Sequence, residues 1–226
     1  MQGLRTIQGP VAFQSTVEAI AEWLRESIFK GELDLGERLV EYRLAKKLCV
    51  GQPTIREALK ELEYQGFVRR IPKHGTYVTK LTRDEFRKIL EVRVALEGVA
   101  VERAAVRISD GQIAELWQFE RNMEAAAKEF NRVEFHHEDM GFHRMLWEVA
   151  DNEFLAAALE QVVSGLFAFF LMQRDPSDIS GLRGTARMHI PMIEGIETRD
   201  PGKARQTFVD SVLGFWDKQY NNGLFE

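Results

Sequence analysis

Residues 39–79 read LVEYRLAKKLCVGQPTIREALKELEYQGFVRRIPKHGTYVT, and the order of signals in this stretch decides the N-terminal fold. Leu44, Ala45 and Leu48 place an apolar stripe on a short helix. Val50 and Gly51 make a turn, and Pro53 falls in the first turn of the next helix, where a missing N–H costs nothing. That helix sends Ile55, Ala58, Leu59 and Leu62 inward and leaves Gln52, Thr54, Arg56 and Lys60 facing outward. Gly66 stops it. Residues 67–70 and 76–79 then alternate as two strands around Pro72, Lys73, His74 and Gly75. This order is that of a winged helix-turn-helix, a module that lays one helix in the major groove of DNA.

Charge agrees with this reading. Residues 42–80 hold nine Lys/Arg against three Asp/Glu, although the whole chain of 226 residues carries a net charge of −5. A phosphate backbone rewards such a local basic patch even on an acidic protein. The predicted DNA-contacting set is Gln52, Thr54, Arg56 and Lys60 on the helix, with Lys73, His74 and Gly75 in the wing.

At roughly 100–150 residues per domain, this length suggests one small and one larger unit. We expect a DNA-binding domain over residues 1–80 and an effector-binding and dimerisation domain over 81–226. Residues 1–13 read as a loose arm, and a one-sided helix runs from Gln14 to near Gly31. After Thr79 no strand pattern appears. Helical segments are predicted near 82–107, 109–130, 132–150, 153–173, 185–198 and 200–222, giving a mainly α chain whose second domain is a bundle of six to seven helices. Residues 174–184 read as one long polar loop. The only cysteine, Cys49, excludes an intrachain disulfide framework and is expected to pack as a core thiol. No signal peptide is visible, and the apolar run 162–172 is too short for a bilayer. A cytoplasmic protein without a membrane span is therefore expected.

The chain resembles the GntR family of bacterial transcription regulators, in its FadR-like branch with an FCD-type ligand domain. In the N-terminal module the resemblance rests on residues 28–31 (IFKG), 36–39 (GERL), Leu44-Ala45, 56–59 (REAL), Leu62-Glu63, Gly66 and 75–78 (GTYV). In the remainder it rests on Val92-Arg93, Leu96-Glu97, Ala104-Ala105, 139–143 (DMGFH), Asn152, His189, Ile193 and Ala204. It implies a homodimer that reads a two-fold-symmetric operator in double-stranded DNA, expected to act as a repressor, with a small organic acid as effector. Gly51-Gln52 stand where the family commonly has Ser-Arg. Gln52, with one donor group and one acceptor, suits adenine rather than guanine. Lys73 stands where Gly is often found.

The resemblance also implies one divalent metal, zinc- or nickel-like, held by one Asp and three His. Asp139 and His143, four residues apart, share a helix face, and His189 matches the third ligand. The fourth position is Ser211, a poor ligand beside an imidazole, so the set is incomplete. His136 shares the face of Asp139 and His143 and is placed to substitute. A metal-free acid pocket and a buried structural network remain open for these residues. Arg93 is read either as a surface ion pair with Glu97 or, by resemblance, as the anchor of an effector carboxylate. Arg93, His136 and Ser211 thus complete the expected effector site. Two other functions compete: a metal-sensing regulator, and a metal-dependent hydrolase or lyase. The second lacks any accompanying nucleophile or general base, so no enzyme is expected.

Overall fold

A computed structural model describes residues 15–173 and 179–221, without the side chains of 219–221; the predicted arm 1–13 lies outside this range. The chain opens with α1 (Thr16–Phe29), started by a reciprocal cap in which the Ser15 hydroxyl accepts from the Glu18 N–H and the Glu18 carboxylate accepts from the Ser15 N–H. Such boxes satisfy two otherwise orphaned donors. Then come α2 (Glu41–Leu48) and α3 (Gln52–Tyr64), the helix-turn-helix pair. Ile20, Leu24 and Ile28 of α1 bury against Ile55, Ala58, Leu59 and Leu62 of α3, with Leu44 and Ala45 closing the core.

The wing has three strands, one more than expected. β2 (Val68–Ile71) and β3 (Gly75–Val78) form the hairpin, with Arg69 opposite Tyr77 and Arg70 opposite Thr76. The additional β1 (Arg38–Leu39) pairs antiparallel with the outer edge of β3, giving the order β1-β3-β2. Two residues are too few to alternate, which is why the pattern hid this strand. At the hairpin tip Lys73 (φ 65°) and Gly75 (φ 114°) are both left-handed. The Lys therefore carries a strain of roughly 1–2 kcal/mol that the usual Gly would avoid.

Cys49 corrects its expectation. It terminates α2 in the left-handed conformation (φ 55°), which turns its side chain outward, and it is exposed rather than a core thiol.

The described residues of the second unit form a bundle of seven helices: α4 (Arg83–Ala105), α5 (Asp110–Lys128), α6 (Arg132–Val149), α7 (Glu153–Met172), α8 (Ile179–Arg187), α9 (His189–Glu197) and α10 (Pro201–Asn221). α7 is the core helix. By length and composition it is apolar enough to cross a membrane, yet Leu155, Leu159, Val163, Leu166 and Phe167 through Leu171 are buried among α4 and α6. The predicted polar loop is corrected in part. Residues 179–184 are helical, because Leu182 and Ala186 bury and Arg183 donates to Glu124 of α5 at 2.6 and 2.8 Å; residues 174–178 lie outside the described range.

The two units meet along a seam at the end of α3. Gly66 (φ 82°) lies so close to α7 that a Cβ there would stand 2.3 Å from the Ser164 backbone. The buried Thr79 hydroxyl donates to the Gly66 carbonyl at 2.7 Å. Across the seam, Arg132 of α6 donates to the Phe29 carbonyl, and Arg144 of α6 lies 5.1 Å over the Tyr64 ring.

Candidate functional site

The outward face of α3 begins at Gly51, which caps the helix by backbone geometry alone, without a side-chain oxygen. Gln52, Arg56 and Lys60 are exposed along it and Thr54 is half-buried. Arg56 is not loose. Its Nε and Nη2 donate to the two oxygens of Glu41 on α2, at 3.3 and 2.8 Å, and the hydrogen bond and charge of Glu41 raise the guanidinium further above its ordinary range. Glu41 also lies 4.0 Å from Arg70 of the wing. One carboxylate thus stands between a cation of α3 and a cation of the wing. In the wing, Lys73 and His74 are exposed and Gly75 is half-buried. Arg56 and Lys60 of α3 and Arg70 of the wing line one shallow hollow with Glu41, an arrangement compatible with groove binding flanked by phosphate contacts.

The second site lies inside the bundle. Asp139 and His143 project from one face of α6, and His189 opens α9. All three are buried. His189 Nε2 lies 3.1 Å from Asp139 Oδ1 and 3.3 Å from His143 Nε2, and the third edge, His143 Nε2 to Asp139 Oδ1, is 4.0 Å. Ligands about 2.0–2.1 Å from a tetrahedral ion stand about 3.3–3.4 Å apart, so these edges suit a divalent ion.

The outer ring nitrogens are used elsewhere. His143 Nδ1 is 2.6 Å from Glu97 Oε1, and His189 Nδ1 faces the carbonyls of Thr185 and Ala186 at 3.2 and 3.1 Å. Both Nδ1 atoms carry hydrogen to face oxygen acceptors, which turns the Nε2 atoms of both rings toward Asp139 Oδ1. With both Nε2 atoms free of hydrogen, the three would offer a cation three buried acceptors.

Burial would raise the Asp139 carboxyl, but the hydrogen bond and charge of His189, with His143 and Arg93 behind, hold it below its ordinary range. Burial pushes the His143 imidazole down and outweighs the pull of Glu97. An ionised carboxylate beside a neutral imidazole is the state a metal needs from these two ligands.

Two protein-family models match the chain. The family model described as "Bacterial regulatory proteins, gntR family" matches residues 16–78, and that of the FCD domain matches residues 88–211.

The chain belongs to the GntR family, with an FCD domain.

Among relatives, it is 32% identical to the uncharacterized HTH-type transcriptional regulator YdhC of Bacillus subtilis over 62% of each chain. It is 28% identical to a probable D-xylose utilization operon transcriptional repressor of Paenarthrobacter nicotinovorans, over 87% of this chain and 85% of that one. Its fold matches E. coli McbR/YncC with a TM-score of 0.70 at 18% identity, covering 93% and 99% of the two chains. These families are transcription regulators, not enzymes, and the hydrolase or lyase reading falls away.

Not every expected residue of this GntR regulator reaches the centre. Ser211 donates its hydroxyl to the Thr207 carbonyl one turn back at 2.7 Å; among the described residues, the group close enough to share a metal is Asp139, His143 and His189. His136 does share the face of Asp139 and His143, but a rise of about 1.5 Å per residue sets it roughly 10 Å along the axis from His143. It sits at the seam instead. Its Nε2 is 3.2 Å from the Gln65 carbonyl at the end of α3, its ring meets Phe67 edge-on at 4.8 Å, and Nδ1 has no hydrogen-bond partner among the described residues. His137, beside it, is exposed.

Arg93 pairs with Glu97 at 2.7 Å, but deep inside the bundle, not on its surface. Glu97 and Trp147 were not expected in the site. The available signal was a charged residue one turn from Arg93 on an apolar helix, which periodicity alone assigns to either face.

The seam carries a pH dependence. Burial pushes His136 down to about 4, below the ordinary value of about 6.5 that it recovers on unfolding. The unfolded chain therefore takes the proton first. This contribution is complete above about pH 6.5 and drains away as pH falls toward 4, by up to roughly 3 kcal/mol. Denaturation midpoints at pH 7.5 and 5 should differ in the wild type and differ less in His136→Gln, whose amide still donates to Gln65.

Proposed function

We propose that this GntR regulator is a homodimeric repressor, acting in the cytoplasm, whose grip on a two-fold-symmetric operator is set by a small carboxylate metabolite bound in the helical bundle with the help of a divalent ion. The observation that carries this reading is the convergence of Asp139 Oδ1, His143 Nε2 and His189 Nε2 in the interior of the FCD domain. The repressor names of relatives such as the D-xylose utilization and gluconate operon proteins support it. A bound ion would supply a Lewis-acidic anchor for a carboxylate oxygen, and Arg93 would supply the matching hydrogen-bond donors.

The route to DNA runs along α6. This helix presents Asp139 and His143 to the bundle centre, while His136 and Arg144 reach the last turn of α3. Arg144 is itself braced by Glu160 of α7 at 2.8 and 2.5 Å. A small displacement of α6 on ligand binding would thus be passed to the recognition helix, because packed helices shift as units. A coupling of ~1–3 kcal/mol changes operator occupancy about 5- to 150-fold. Dimerisation is supported by the exposed apolar residues Val92 and Val99 on α4 and Leu213 on α10, beside a cleft walled by Phe86, Leu90 and Trp216.

The test is a titration of full-length protein with zinc or nickel and a panel of organic acids, read by thermal shift and by operator affinity. Arg56→Ala should weaken DNA binding at least tenfold and leave ligand-induced thermal shifts intact. His143→Ala should bind DNA normally and lose the response. If no acid alters either quantity in the metal-loaded wild type, the effector reading fails. A change in operator affinity on adding metal in acid-free buffer would favour the second reading, in which the ion is the signal.

A further inference from the structure

Glu97 has the most heavily engaged side chain at the centre. Its carboxylate is fully buried on α4. Oε1 accepts from His143 Nδ1 at 2.6 Å and from Trp147 Nε1 at 2.8 Å, while Oε2 accepts from Arg93 Nε at 2.7 Å. A carboxylate oxygen 2.6 Å from a ring nitrogen requires a hydrogen between them, since two lone pairs would repel. Glu97 therefore selects the Nδ1–H tautomer of His143 and leaves the lone pair on Nε2, the atom that faces Asp139 and His189.

That lone pair already has a claimant. Arg93 Nη2 lies 3.4 Å from His143 Nε2, with its guanidinium carbon 4.5 Å above the Phe167 ring. A guanidinium has only hydrogens to offer. The same Nε2 cannot serve this donor and a metal ion at once.

We propose that Glu97 is the positioning residue of the centre, fixing His143 as a ligand, and that Arg93, tethered by Glu97, is a resident cation that a divalent ion must displace from His143 Nε2. An effector carboxylate then receives the displaced guanidinium, so ion and acid bind with positive cooperativity. The displacement step rests on the metal-assisted reading above. The role of Glu97 does not, and it is tested without metal.

The first measurement is nitrogen NMR of metal-free, full-length protein with labelled histidines, His143 being assigned by the signal missing in His143→Gln. The wild type should show a protonated Nδ1 and a bare Nε2 at His143, and Glu97→Leu, which offers Nδ1 no acceptor, should lose this pattern. A protonated Nε2 in the wild type, or an unchanged pattern in folded Glu97→Leu, overturns the positioning role. If Glu97→Leu does not fold, Glu97→Asp keeps a counterion for Arg93 but falls short of Nδ1, and the same loss is expected.

The second measurement is zinc affinity by chelator competition. Arg93→Lys keeps the charge yet cannot bridge Glu97 and His143 Nε2. Without acid it should bind zinc roughly three- to tenfold tighter than wild type, whereas Glu97→Gln should bind it about 10- to 100-fold more weakly. Equal affinity in Arg93→Lys and wild type overturns the displacement step. Wild type that binds no zinc sinks both that step and the metal reading, while the NMR result still decides the role of Glu97.

Discussion

Gly66→Ala is expected to cut the stability of the protein by about 2–5 kcal/mol and to disconnect the DNA-reading module from the bundle. Two effects add. The residue has φ 82°, where a side chain costs about 1–2 kcal/mol. The new methyl would also meet the Ser164 carbonyl carbon and oxygen at 2.3 Å and the Gly165 nitrogen at 2.6 Å. These are backbone atoms of the buried core helix and cannot swing aside as a side-chain tip would, so overpacking adds roughly 1–3 kcal/mol. In a chain of this size about 3 kcal/mol lowers the melting temperature by 5 °C or more. Operator binding should survive in the cold, because α1, α2, α3 and the wing keep their own core, while its dependence on ligand should vanish. Gly165→Ala is the control. It faces the same seam from the other side, but its methyl would meet only the Thr79 methyl at 4.0 Å, an ordinary contact, and helical Gly→Ala is mildly favourable. Calorimetry of the two variants decides the point: equal melting temperatures would mean that the seam does not close at Gly66.

The second large effect concerns the buried charges. Glu97→Ala removes the counterion of Arg93 and the acceptor of His143 Nδ1 and Trp147 Nε1 in one step. Burial opposes ionisation of Glu97, but the His143 and Arg93 donors hold it well below the usual carboxylate range, so it is charged in the folded protein. Breaking a buried pair costs about 3–5 kcal/mol because a bare charge stays behind. The double replacement Arg93→Met with Glu97→Met should recover part of that loss, since no unpaired charge remains, though two N–H groups stay without acceptors. Urea denaturation of the single and double variants measures the difference. A single variant as stable as the double one would show that Arg93 escapes to solvent when released. The linkage has a definite sign: with a depressed folded value, the Glu97 contribution is complete above the unfolded carboxylate range near pH 4 and is lost only as pH falls well below it.

Much of this was legible from spacing alone. The intervals among Ile55, Ala58, Leu59 and Leu62 and the stop at Gly66 marked elements that the fold contains. The spacing of four from Asp139 to His143 placed both on one face of α6. Other features had no local signal. β1 is two residues long and exists only because β3 offers it an edge. α8 contains two glycines and reads as loop until Leu182 and Ala186 find the bundle and Arg183 finds Glu124. His136 satisfied the helical geometry that would have made it a ligand, and the rise along the axis carried it to α3 instead.

By itself, then, the chain of residues determined the DNA-binding module, the order of helices, and the pairing of an acid with an imidazole one turn apart, because these follow from 3.6-residue periodicity and turn chemistry. Only tertiary packing brought His189 to within 3.3 Å of a histidine 46 positions earlier, drew Glu97 and Arg93 into a dry interior, and pressed Gly66 against α7. Contacts between distant segments depend on which faces helices bury against one another, and burial in a low-dielectric core is what makes their charges and lone pairs matter.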